Sequence, residues 1–410
     1  MKFKTTSLEK KWIWYDVGNS AFTLLVSTIM PIYFNYLAGE AGISEVDYLA
    51  FWGYATSAAT IITAVLGPTL GTASDFQGWK KKLFLGSLFP GALGCVFLGL
   101  TSSWIWFLGI FVVAKAAYSL SLVFYDSMLV DVTEPDRMDE VSARGYGWGY
   151  IGSCIPFVLC LLLVLFYDSI GLTMSQAMAG AFLLTALWWV GFSLPLVRSY
   201  RQKAYVEKKS HYASEGFRRL AHVFGELKEQ KKVLFFLLAF FFYIDGVYTI
   251  IDMATAYGTA LGLDTTGLLL ALLLTQIVAF PAALIFGKLS ARYKNSMLIR
   301  ICIGAYFLIA VYAIFLRTQW QFWVLAVCVG LFQGAIQSMS RSYFARIIPA
   351  ERSGEYFGIY DICGKGAAFL GTILVSFISQ VTGNTNLGVG SLAVMFLLGF
   401  LFFLKTERTE

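Results

Sequence analysis

Twelve apolar stretches, each about long enough to cross a bilayer, fill almost all of the 410 residues. A hydrocarbon core of ~30 Å needs about 20 residues of helix, and it offers no water to satisfy an open backbone. The crossings fall at 12–37, 48–70, 82–101, 104–130, 142–166, 173–197, 232–262, 264–287, 296–317, 319–346, 354–381 and 387–404. The runs are continuously apolar rather than alternating, which excludes a membrane barrel. With 58% hydrophobic and only 14% charged residues, the chain carries more apolar surface than a water-soluble enzyme can hide. The expectation is an all-α membrane protein with twelve transmembrane helices.

Lysine and arginine set the orientation. Lys2, Lys4, Lys10 and Lys11, the run Lys80–Lys82 and ten basic residues of the central loop share one side, against Arg317 alone on the other. Both termini are therefore expected in the cytoplasm of a cell-membrane protein. The acidic 131–141 segment does not reverse this, because acids weigh little in the rule. The net charge of +6 reads as anchoring to anionic lipid rather than to nucleic acid. Trp12/Trp14, Trp104/Trp106 and Trp320/Trp323 sit at span edges, as interfacial belts do. The first apolar stretch is too long for a cleavable signal and opens with Asp16 and Asn19. The six cysteines all fall inside spans without a CxxC pair, so they read as buried small hydrophobes rather than metal ligands. His211 and His222 both sit in the central loop, away from any intramembrane chemistry, and no GxxxxGK[ST] loop is present. No cofactor, no metal and no enzymatic nucleophile–base set is called for.

The chain divides into 1–197, a polar 198–231 linker and 232–410, six spans on either side. Gly71 and Gly287 close spans two and eight, 216 residues apart; Pro135 and Pro349 recur at 214, and Lys11 and Lys232 at 221. Near-equal offsets imply two related, pseudo-symmetric six-helix halves with a site at their interface.

Gly71-Thr-Ala-Ser-Asp75-Phe-Gln-Gly78-Trp-Lys80-Lys81-Lys82 has the spacing G-x3-D-x2-G-x-[KR]-[KR]. Glycine permits a tight turn, a carboxylate can cap a helix N-terminus, and lysines hold the loop at lipid phosphates. This stretch resembles the loop signature of the major facilitator superfamily. Its counterpart, Gly287 to Lys294, has Ala291 in place of the carboxylate, which puts a second gate lock in doubt. Tyr15-Asp16-Val-Gly-Asn19-Ser20-Ala-Phe22, Gln333-Gly-Ala-Ile-Gln337-Ser-Met-Ser340-Arg341-Ser342 and Phe357-Gly358-Ile-Tyr360-Asp361 resemble the "unknown major facilitator" branch, which includes the fungal vacuolar amino-acid effluxer. Val17-Gly18 departs from the Trp-Ala usual there. The resemblance implies the major facilitator fold and transport of a solute, with efflux as the favoured direction.

It also implies that spans one, four, seven and ten surround the cavity. Polar residues at helical spacing on those spans form the expected solute site: Asp16, Asn19, Lys115, Tyr118, Asp245, Tyr248, Asp252, Gln333 and Gln337. Lys115 and Asp245 fall near the midplane, where an unpaired charge costs ~3 kcal/mol or more. They are expected to approach each other across the halves in one state and to separate in another. Gly71, Asp75, Gly78, Lys80, Lys81, Asp126, Arg144 and Arg341 form the expected cytoplasmic gate, while Asp361 and Lys365 at i,i+4 satisfy each other. A cavity with both charge signs and amides suits a small polar solute such as an amino acid, with a proton as a candidate coupling ion, carried by a monomer through alternating access. The competing readings are a non-transporting sensor or scaffold with a carrier fold, or a membrane-embedded enzyme.

Overall fold

The computed structural model describes residues 3–207, 225–227 and 229–409; most of the 198–231 linker, with His211 and His222, lies outside the described residues. Among the described residues, twelve helices are long and apolar enough to cross a membrane. They are α1 Ser7–Glu40, α2 Glu45–Ser74, α3 Trp79–Leu98, α4 Trp104–Val132, α5 Met138–Leu165, α6 Met174–Ser199, α7 Lys231–Ala260, α8 Thr265–Leu289, α9 Asn295–Ala313, α10 Gln319–Ile347, α11 Ser353–Thr382 and α12 Leu392–Arg408. Every expected crossing has its helix. An even number of crossings brings both ends of the chain to one side, here the terminal face; the opposite side is the distal face.

Several helices begin before their apolar runs, and polar caps explain why. The Thr6 hydroxyl accepts from the Glu9 amide while the Glu9 carboxylate accepts from the Thr6 amide, so α1 starts five residues ahead of the expected Trp12. The Ser44 hydroxyl accepts from the Asp47 amide and opens α2. α5 starts at Met138 rather than 142 because Asp139 and Glu140 are buried in the protein instead of exposed in a loop. Within α1, Leu25–Ile29 widens into one π turn just before Pro31, which has no N–H to continue the ladder.

The helices pack as two sets of six with matching neighbours. In the first set α1 lies against α5 and α6; in the second, α7 lies against α11 and α12. Between the sets α2 meets α11 and α8 meets α5. Lipid is as apolar as leucine, so close helix approach depends on small residues rather than on hydrophobic driving force. α2 and α11 show this: a Cβ on Gly71 would lie 2.3 Å from the Gly354 carbonyl oxygen, and one on Gly358 would lie 2.6 Å from the Pro68 Cα. All hydrogen bonds and ion pairs observed between the two sets among the described residues fall in the terminal half of the bundle.

Two expectations about side chains divide. Trp14, Trp106 and Trp320 are exposed, as belt residues should be. Trp12 is not: it is fully buried, stacked at 4.4 Å on Tyr125, with its indole N–H donating to the Tyr125 carbonyl. A tryptophan at a span edge can equally serve the protein interior. The six cysteines are all unbridged, four of them buried.

The glycine contacts generate a direct test. Gly71→Ala should force α2 from α11 and lower thermal stability by about 1–3 kcal/mol, the usual range for overpacking. Gly53→Ala in the same helix, where a Cβ meets nothing within 4 Å, should be neutral or stabilising. Scanning fluorimetry of the two variants side by side checks it; equal melting would mean that the helices do not press together there.

Candidate functional site

At the terminal face the loop between α2 and α3 holds the start of α11. The two oxygens of Asp75 accept from the Gly354 amide at 2.7 Å and the Glu355 amide at 2.9 Å. These are unsatisfied N–H groups of a helix N-terminus, where a carboxylate is favoured. Burial pushes the Asp75 carboxyl up to about 7, while Lys80 and the two amides pull the other way. Lys80 is completely buried: its ammonium donates to Ser353 Oγ at 2.8 Å and the Ser127 carbonyl at 3.3 Å, and lies 3.6 Å from Asp131. Asp131 in turn accepts from the Tyr200 hydroxyl and from the amides of Lys203 and Ala204. Gly78, at φ +74°, donates its N–H to Gln202 Oε1, and the Val206 amide donates to the Asp75 carbonyl. The chain leaving α6 is thus fastened beneath this loop.

A second tie centres on Arg341 of α10. Its guanidinium meets Asp126 of α4 at 2.9 Å and Asp16 of α1 at 3.3 Å, and donates to the Ser142 hydroxyl and carbonyl at 2.9 and 3.1 Å. The rings of Trp12 and Tyr146 stand 4.6 and 4.3 Å from its centre. A third tie uses Asp139 of α5, which takes both Arg346 nitrogens at 2.8 Å and accepts from Asn295 and Ser342 at 2.5 Å. The second half therefore does contain a polar lock despite Ala291, with the acid supplied by the opposite set of helices.

Distal to Arg341 the inward helices α1, α4, α7 and α10 carry further polar side chains. The Asn19 amide donates to Asp16 Oδ1 at 3.3 Å, and the Tyr118 hydroxyl sits 2.6 Å from Thr23 Oγ1 and 3.4 Å from Asn19 Oδ1. Gln333 and Gln337 are buried in α10, while Tyr248 is half-buried on α7. Lys115 of α4 is half-buried, and the opposite charge acting on it is that of Asp252 on α7, an exposed carboxylate. Lys365 of α11 is the like charge nearby, itself 2.5 Å from Asp361. Among the described residues no group of three His, Cys, Asp or Glu side chains is placed to hold a metal.

Three expected placements differ. Asp245 is not paired with Lys115 in this structure: it is fully buried within its own half, accepting from the Gly371 amide and Thr249, and the α7 charge that acts on Lys115 is that of Asp252. Arg144 pairs with Glu140 one turn back on its own helix and stacks on Phe3, so it does not bridge the halves. Lys81 makes no hydrogen bond or ion pair among the described residues, whereas Asp75, Gly78 and Lys80 are hydrogen-bonded and Gly71 packs on Gly354. Sequence reasoning missed Asp139, Ser142, Asn295 and Arg346. One signal was available: Asp139 stands 215 residues before Gly354, so it opens α5 as Gly354 opens α11.

Comparisons with known proteins identify the family. The family model described as "Vacuole effluxer Atg22 like" matches residues 5–409. An "uncharacterized MFS-type transporter YxiO" of Bacillus subtilis is 39% identical over 98% of this chain and 95% of its own length. Autophagy-related protein 22 of Saccharomyces cerevisiae is 25% identical, over 83% of this chain and 74% of that protein. Among solved structures, the fucose:proton symporter FucP of E. coli superposes with a TM-score of 0.72 at 15% identity, over 98% of this chain and 97% of that one, which speaks for the fold alone. With twelve crossings in two matched sets, the chain belongs to the vacuole effluxer Atg22-like family of major facilitator transporters, and it is a carrier rather than an enzyme.

Proposed function

We propose that this carrier exports a small zwitterionic solute, an amino acid in the simplest case, across the cell membrane by alternating access. The observation that supports this most is the placement of Lys115 and Asp252 on helices of opposite sets, distal to Arg341. A carboxylate and an ammonium on one small molecule satisfy both, and the solute then replaces their interaction with each other. The amides of Asn19, Gln333 and Gln337 and the hydroxyl of Tyr118 supply hydrogen bonds nearby. The ties at Asp75, Arg341 and Asp139 act as the gate that closes the terminal face, and with the basic terminal face assigned to the cytoplasm, the structure is the outward-open state. Opening toward the cytoplasm requires those ties to break together; stripping one partner from a buried pair costs about 3–5 kcal/mol.

A panel of radiolabelled amino acids, screened first by thermal shift and then by flux in proteoliposomes, tests the reading. Hits should move in wild type; Lys115→Ala should weaken solutes bearing a carboxylate, and Asp252→Asn those bearing an ammonium. A hit that binds but never crosses would favour the sensor or scaffold reading, and unchanged flux in both variants would remove the charge pair from the site.

The orientation has its own check. On a cysteine-free background, Glu351→Cys lies on the terminal face and Asp168→Cys on the distal face. An impermeant maleimide applied to intact cells should label Asp168→Cys and spare Glu351→Cys; the reverse pattern overturns the assignment.

Asp75 should act in cycling rather than in binding. Its carboxyl rises from 3.8 in water to about 7 in the closed tie, so closure takes up a proton. That contribution to closure is complete below about pH 4, declines between about 4 and 7, and is gone above. Asp75→Asn keeps one acceptor oxygen but sets an NH2 donor against the second of the two amides, so it should loosen the tie and remove its pH dependence, slowing turnover while equilibrium affinity changes little. A large loss of affinity at unchanged turnover would contradict this role.

A further inference from the structure

Asp245 poses a problem that the solute site does not solve. Its side chain is fully buried on α7, facing α11 of the same half. One oxygen accepts from the Gly371 amide at 3.0 Å and from Thr249 Oγ1 at 3.3 Å; the other has no hydrogen-bond partner among the described residues. The contact is built for this acid. A Cβ on Gly371 would lie 2.7 Å from Asp245 Oδ1 and 2.3 Å from Thr249 Oγ1, so a larger residue there would close the approach.

No cation faces this carboxyl from any helix packed on α7. From α11 it meets backbone, and Lys365, the basic residue on that helix, pairs with Asp361. From α10 the only nearby base is Arg341, which is taken by Asp16 and Asp126. α8 carries a single ionisable residue, Lys288, at its terminal end, and the Thr385–Gly390 turn carries none. α12 presents the Phe396 ring to Gly246, its bases standing at the terminal end. On α7 itself Asp252 is two turns away and interacts with Lys115, while Tyr243 bonds Ser340 and Tyr248 is half-buried. An ionised Asp245 would be a lone charge inside the bilayer, the arrangement that membrane interiors tolerate least.

We propose that Asp245 is a proton-binding site of this carrier, separate from the solute cavity, occupied in the outward-open state and emptied when the halves rock. The site communicates through α11: the amide it holds belongs to the helix whose first turn is clasped by Asp75 and whose cavity side bears the Asp361–Lys365 pair. Loss of the proton leaves a charge that draws harder on the Gly371 amide or calls in water, and either changes how α11 seats on α7. Proton occupancy and the docking of α11 onto α2 are then two readings of one helix position. This rests on the carrier reading above, and the measurements are chosen to separate the two.

The first measurement needs no solute. Difference infrared spectra of purified wild type and Asp245→Asn at neutral pH should show a protonated-carboxyl C=O band, shifted in D2O, that the variant lacks. No Asp245-dependent band would overturn the proposal. A sodium-dependent rise in melting temperature that Asp245→Asn abolishes would overturn it in favour of a metal cation. The second uses proteoliposomes and a radiolabelled mixture of the common amino acids. Asp245→Asn, which preserves the acceptor for Gly371, should fold, retain exchange, and lose accumulation driven by an imposed pH gradient. Exchange intact in both proteins with gradient-driven accumulation unchanged in the variant removes Asp245 as the proton site and leaves the carrier standing. No amino-acid movement in wild type rejects the amino-acid reading instead, while the infrared band still decides the protonation of Asp245.

Discussion

Arg341 has no water to turn to. It is among the largest fully buried side chains in the protein, and its charge is neutralised only by acids that belong to the other six helices. In a medium of low dielectric a guanidinium without partners is far costlier than one at a surface, so this residue makes the closed terminal face a condition of its own burial. The surrounding structure follows from that requirement. Trp12, Tyr125 and Tyr146 line the guanidinium with ring faces, Ser142 takes the remaining donors, and α5 is drawn close enough for Gly147 to lie beside α8. The polar contacts that join the two sets among the described residues thus gather at one end of the bundle.

The crossings were legible because lipid imposes a length and a composition that nothing else in the chain imitates. Their ends were less legible. Thr6, Ser44 and Met138 start helices in polar sequence, where the hydropathy pattern is silent and capping or burial of an acid decides. The site was half legible for a related reason. Helical spacing places Asp16, Asp126, Lys115 and Asp252 on inward faces; in the structure Asp16 and Asp126 meet Arg341 of the other half. The same spacing cannot separate Asp245 from Asp252, seven residues apart on one helix, because it assigns them to the same stripe. What separates them is packing: Gly371 lets α11 come against α7 at Asp245, whereas Asp252 is exposed. That information lives on another helix.

The two halves solve one problem with opposite polarity. On the α2–α11 side, Asp75 in the loop reaches to amides at the start of α11. On the α8–α5 side the equivalent loop position is Ala291, and the acid is Asp139, standing where Gly354 stands in the repeat. Asp139 in the first turn of α5 already favours its own helix dipole, and its external partners Asn295, Ser342 and Arg346 come from the second half. Each lock thus sets a buried acid of the first half against donors of the second, a loop carboxylate on one side and a helix-opening carboxylate on the other.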